Sequence, residues 1–190
     1  MNKVILLYGL PAAGKLTIAK MLADSDENAY LIDNHYVHDF VRPFIGSHGG
    51  AAEYWHHAGN IHGELLNIIG LFYPKDKPVT YIFTQVIRDS DSGKHEMSKY
   101  IEFAKQIGAE FYSIALIPSF ETLKTRCVAE ERKQRKKLHT VEKMVQVFGE
   151  LESQRIFNST HPNHLSIDTS NMTIKETFQA VKKHLDKVVK

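Results

Sequence analysis

Apolar positions along the chain fall into short dense blocks separated by longer periodic stretches. "KVILLY" (3–8) and "VTYIFT" (79–84) are close to unbroken apolar runs, as are "AYLID" (29–33), "EFYSIALI" (110–117) and the shorter "HLSIDTS" (164–170). Runs of this length, without strict alternation, are what strands buried on both faces require. The stretches between them read as helices. One starts near Gly14 with Ile18, Met21 and Leu22 on its inner face, and "YVHDFVRPF" is helical until Pro43 interrupts it. A loop, "GSHGG", precedes a long helix from about Ala51 to Phe72, and another runs from about His95 to Ile107. Ser119 caps a helix after the fourth strand, and a further helix covers Thr140 to Phe157. Thr173 and Glu176 have capping-box spacing, so the last helix starts there.

Five apolar strands alternating with helices predict an α/β fold, a five-stranded parallel sheet with helices on both faces. No tandem repeat or low-complexity linker divides the chain, so residues 1–190 are expected to form a single domain. The segment between strands two and three, about 35–75, and a basic segment near 131–139 are its insertions.

Composition narrows the setting. At 190 residues and 43% apolar, the chain can bury a core without metal or disulfide staples. Its single cysteine, Cys127, has no internal partner, which fits a reducing compartment. "MNKVILLYG" runs straight into structural sequence without a signal peptide, and no apolar stretch reaches the ~18 residues of a membrane span. A cytoplasmic protein without a membrane partner is therefore expected. The net charge of +2 says little, but five of the six residues from Arg132 to Lys137 are basic. Nucleic-acid binding, phosphate binding and a solvated face all remain open for that run. The eleven histidines follow no zinc-ligand spacing.

The most specific motif is "GLPAAGKLT" (9–17). Gly9, Gly14 and Lys15 satisfy G-x-x-x-x-G-K directly after a strand and before a helix. A loop of small residues (Pro11, Ala12 and Ala13 between the glycines) can turn its backbone N–H groups toward a polyphosphate, and the helix start adds its dipole. Lys15 then reaches the β and γ phosphates as a point charge. Leu16 stands where the magnesium-binding hydroxyl usually lies, and Thr17 follows one position later as the nearest metal-shell candidate. No Asn-Lys-x-Asp segment for guanine is present, and "VTYIFT" ends in Thr84 rather than the acid of a motor ATPase.

"GLPAAGKLTIAK" resembles the phosphate loop of the P-loop small-molecule and nucleotide kinase superfamily, in its adenylate-kinase-like and shikimate-kinase-like branch. "LKTRCVAEERKQRKK" is similar to the arginine-bearing lid of these enzymes, and "LSIDTSNMTIKET" to their last strand and C-terminal helix. The resemblance implies magnesium-bound ATP, an acceptor pocket beside strands two and three, and a movable lid near 131–139. It places Asp33 where such enzymes hold or activate an acceptor hydroxyl. There a carboxylate could orient the hydroxyl, take its proton or organise magnesium waters; it could also simply cap a turn. His35 and Arg42 continue the same edge, Arg42 as an electrostatic clamp for an acceptor phosphate or carboxylate. Arg88 keeps the arginine of a family stretch whose aspartate is Thr84 here and whose Gly-Phe-Pro is absent. Arg126 matches an arginine that stacks on adenine, and Thr169 borders the adenine site. Arg132 and Arg135 are the lid arginines expected to neutralise the transferred phosphoryl group.

These features converge on an ATP-dependent phosphotransferase acting on a hydroxyl or phosphate of a small-molecule acceptor. Two rivals stand beside it: a nucleotide-binding regulatory NTPase, and an RNA-directed kinase using the basic lid region. The acceptor's identity and the oligomeric state are not legible in the sequence.

Overall fold

A computed structural model describes residues 1–45, 52–129, 140–148 and 155–187; within these, nothing is described of the side chains of Arg42, Ala52, Glu53, Trp55, His56, Lys143, Gln146, Val147 and Phe148. In chain order the elements are β1 (Lys3–Tyr8), α1 (Lys15–Asp24), β2 (Ala29–Asp33), α2 (His35–Ile45), α3 (Ala52–Phe72), β3 (Thr80–Gln85), α4 (Asp91–Gln106), β4 (Glu110–Leu116), α5 (Phe120–Cys127), α6 (Val141–Phe148), β5 (His164–Ile167) and α7 (Ile174–Lys187). The strands form one sheet of order β2-β3-β1-β4-β5, and every pair is parallel. The expected α/β architecture is therefore the observed one.

Strand β1 lies at the centre and is the most buried element. Val4, Leu6, Leu7 and Tyr8 have no exposed surface, which is why its sequence does not alternate. Each such side chain contributes about 1.5–3 kcal/mol of apolar burial. The chain leaves β1 toward β2 on one side, then crosses from β3 to β4 on the other. Right-handed crossovers in opposite directions put α1 and α4 on opposite faces of the sheet. Helix α1 packs on β2, β3 and α7, and α4 on β1, β4 and α3. Ile18, Ala19 and Leu22 form the buried face of α1, while Met21 is only half-buried.

Several boundaries differ from the pattern. Helix α4 begins at Asp91, earlier than expected, because the Ser90 hydroxyl accepts a hydrogen bond from Gly93 N at 3.1 Å. Gly93 is required by packing rather than by a turn, since a Cβ there would lie 1.9 Å from the Arg88 carbonyl oxygen. Helix α2 (His35–Ile45) passes through Pro43 instead of ending there. The helix expected over 140–157 does not reach its end. Ile156 forms an isolated antiparallel bridge with Arg88, and Phe157 N donates to Ile87 O at 3.2 Å, so this apolar pair runs extended against the segment after β3. The capping box holds as read: Thr173 N donates to Glu176 Oε2 at 2.8 Å and Glu176 N to Thr173 Oγ1 at 3.2 Å. Among the described residues no helix is long and apolar enough to cross a membrane.

Candidate active site

The direction of the chain reverses between β1 and β4, and the loop after β1 lies at that switch point, where open α/β sheets bind ligands beyond their strand C-termini. Gly9 sits against β4: a Cβ there would be 2.4 Å from the Leu116 carbonyl oxygen, and its φ is +148°. Ala12 and Gly14 also have positive φ, 69° and 93°, so the backbone coils tightly before α1. Gly14 is the N-cap of α1 and makes no side-chain capping bond, and the first turn carries no acidic residue. The helix start thus presents N–H groups without a competing carboxylate, as an anion cradle requires. Lys15 Nζ donates to the carbonyls of Gly9 and Leu10 at 2.8 and 2.9 Å, which holds its ammonium over the loop. Pro11, Ala12, Ala13 and Leu16 complete this turn, and Thr17 is exposed beside it.

Asp33 ends β2 in register with Thr84 of β3, which in turn pairs with Leu7 of β1. Two strand spacings, about 10 Å, separate β2 from the strand that feeds the loop. The Thr84 hydroxyl donates to Asp33 Oδ1 at 3.0 Å, and the same oxygen accepts from His35 N at 3.3 Å. Asn34 N donates to Thr84 Oγ1 at 3.3 Å, so one buried threonine ties the two strand ends together. His35 opens α2, and its ring lies 6.3 Å from that of His38, which hydrogen-bonds the Tyr54 hydroxyl of α3.

Across the sheet, Arg126 of α5 reaches the turn after β5. Its Nη2 donates to the Thr169 carbonyl at 2.8 Å and its Nη1 to the Thr169 hydroxyl at 3.3 Å. Asp168 accepts from Ser170 N in the same turn, and hydrogen bonds from Ser170 hold its carboxyl below the usual carboxylate range. Ser119 N donates to Ser170 Oγ at 2.7 Å, fastening the α5 start to this turn.

The structure therefore gathers the loop residues 9–17 into one turn, aligns Asp33 and His35 with the β2 end, and joins Arg126 to Thr169. Arg88 lies just past the end of β3, where its backbone bridges to Ile156. Arg42 lies on α2 with its side chain outside the described residues, and Arg132, Arg135 and the whole 131–139 segment also lie outside them. Sequence reasoning missed the part played by Thr84. The signal for Thr84 was a hydroxyl at the end of an apolar strand; its partner became visible only once β2 and β3 were adjacent.

The loop's open turn and uncapped helix start fit a polyphosphate. Leu16 cannot ligate a metal, so on the loop only the Thr17 hydroxyl could join a magnesium shell. Among the described residues no cluster of three His, Cys, Asp or Glu is arranged to hold a metal ion.

No protein-family model matches the chain, and no curated protein matches it in sequence. Solved structures do share its fold. A gluconokinase from Sinorhizobium meliloti 1021 superposes with a TM-score of 0.62 at 10% identity, covering 98% of this chain and 93% of that one. The APS kinase CysC of Mycobacterium tuberculosis, in complex with AMPPNP and APS, gives 0.58 at 13% identity over 97% and 98%. A thymidylate kinase from Candida albicans gives 0.59 at 11% identity over 98% and 92%. The described part of the chain has a P-loop kinase-like α/β fold.

Proposed function

We propose that the protein is an ATP-dependent phosphotransferase that moves the γ-phosphoryl group to a hydroxyl or phosphate of a small-molecule acceptor. The observation that carries this reading is the Gly9–Lys15 turn. Close packing on Leu116, positive-φ positions, an uncapped helix start and a lysine held over the loop occur together there.

In this account the loop amides and Lys15 bind the phosphates, and Arg126 with Thr169 borders the nucleotide base. Magnesium, accompanied by Thr17, would neutralise charge on the β and γ oxygens when bound with ATP. Asp33, steadied by Thr84, orients the acceptor hydroxyl or takes its proton. His35, Arg42 and Arg88 lie on the acceptor side, which the 35–75 segment borders. Arg132 and Arg135 act from the 131–139 lid on the transferred group. Solved structures of the same fold include kinases named for a sugar acid, APS and thymidylate, so the fold supports transfer without selecting the acceptor.

The test is incubation of the full chain with Mg-ATP and a panel of small acceptors, with products read by mass. Acceptor-dependent gain of a phosphoryl group supports the reading; ATP consumption that no acceptor alters contradicts it.

A further inference from the structure

At the end of β2 lies a small, partly open cavity lined by apolar side chains of β2, α2, α3 and β3, with Asp33, Asn34, His62, Thr84 and Tyr100 as its polar lining. It has room for about one water-sized group. Three of these groups are already engaged: Thr84 with Asp33 and Asn34 N, Asp33 also with His35 N, and the Tyr100 hydroxyl with Gln85 Nε2 at 3.3 Å. Two are not. Asn34 Oδ1 and His62 Nε2 are buried without a hydrogen-bond partner, and His62 as a residue is only 8% exposed. Buried polar atoms are nearly always satisfied, so two orphans on residues lining one small cavity call for a polar partner there, a water or a ligand hydroxyl.

We propose that this cavity receives a hydroxyl of a neutral, polyhydroxylated acceptor, with Asn34 and His62 as its hydrogen-bonding partners and Asp33 beside it for a second hydroxyl. A hydroxyl both donates and accepts, so it satisfies Asn34 whichever way the amide is turned, and His62 in either tautomer. An anionic group fits badly. The one charged group in the described lining is the Asp33 carboxylate, and no lysine or arginine is among the lining residues. Burial also lowers the proton affinity of His62, opposed by Glu96 and aided by Lys99, which favours a neutral ring. Glu96 and Lys99 are themselves paired at 2.9 Å. The inference rests on the phosphotransfer reading for the fate of the acceptor, but not for its binding.

The experiment separates the two. Calorimetry on the full chain without nucleotide would compare ribitol, glucitol and ribose with gluconate, thymidine monophosphate and adenosine 5′-phosphosulfate. The same compounds would then be offered with Mg-ATP. At least one neutral polyol should bind and be phosphorylated. Asn34→Leu and His62→Leu should each weaken its binding about tenfold or more, raising KM well beyond any change in kcat, and His62→Gln should restore most of the loss. Mono-deoxy analogues of the bound polyol need no variant, and one of them should lose the same affinity. The proposal is overturned if only anionic compounds bind, if nothing binds, or if every deoxy analogue binds equally well. It also fails if both leucine variants bind the polyol as the native chain does. Polyol binding that depends on both residues without any transfer would keep this pocket and overturn the kinase reading. Transfer to anionic acceptors alone would do the reverse.

Discussion

The Thr84 hydroxyl donates to Asp33 Oδ1 at 3.0 Å and accepts from Asn34 N at 3.3 Å, so a buried side chain on β3 helps to hold the carboxylate that ends β2, alongside His35 N. Where adenylate-kinase-like sequences carry an aspartate, this chain uses a neutral hydroxyl, and the acid sits on the neighbouring strand.

Thr84→Val keeps the shape and removes both bonds. It should cost about 1–2 kcal/mol in urea unfolding, because Asn34 N and Asp33 lose a partner in a part-buried setting. Under the phosphotransfer reading it should also lower kcat about tenfold, and Thr84→Ser should recover most of both. Unchanged kcat in Thr84→Val would remove Asp33 positioning from the account.

The two loop glycines should respond unequally to alanine. At Gly14 a Cβ meets nothing within 4 Å, so only its φ of +93° opposes the change, at about 1–2 kcal/mol. At Gly9 the Cβ would press to 2.4 Å on a backbone oxygen of β4, and backbone cannot rotate away. Gly9→Ala should therefore destabilise by more than Gly14→Ala in thermal or urea unfolding. The reverse order would contradict the packing of the loop on Leu116.

Arg126 holds Thr169 by a carbonyl and a hydroxyl, so the two halves of the contact can be separated. Thr169→Val removes only the longer bond and should raise KM for ATP about threefold at most. Arg126→Ala removes both bonds and the guanidinium plane, and should raise it about tenfold or more. Equal effects, or none, would detach this turn from the nucleotide.

Stability should fall on mild acidification. Burial lowers the proton affinity of His62 and of His164; a hydrogen bond to the Ser113 backbone opposes this for His164, while His184 and His161 add to it. Below about pH 6.5 the unfolded chain takes up protons at these rings that the folded chain does not. Stability is thus full above that pH and drains away as pH drops through the lower folded values. Urea midpoints at pH 8 and pH 5.5 should show the loss, and His62→Leu should show less of it.

What the sequence made legible was local. β1 and its loop could be read because an unbroken apolar run and a Gly-Lys spacing are properties of adjacent residues. Asp33 was visible as a polar residue closing a strand, and the Thr173–Glu176 cap as a spacing of three. What escaped depended on contacts between distant segments. The Thr84–Asp33 bond exists because β3 inserts between β1 and β2, and β3 comes after β2 in the chain. His62 sat among other histidines on α3, and only the packing of that helix against α2 and α4 put it on the cavity. Ile156 and Phe157 continued a helical pattern in sequence but pair with 87–89 in space.

The central claim is that the Gly9–Lys15 turn drives phosphoryl transfer. The most direct measurement compares the native chain with Lys15→Ala (K15A) for the rate of acceptor phosphorylation under saturating Mg-ATP, following hydrolysis in parallel. The account predicts acceptor-dependent transfer that falls by about 10²-fold or more in K15A, with the fold retained by circular dichroism. Transfer that survives K15A, or ATP turnover in the native chain that no acceptor changes, would contradict it.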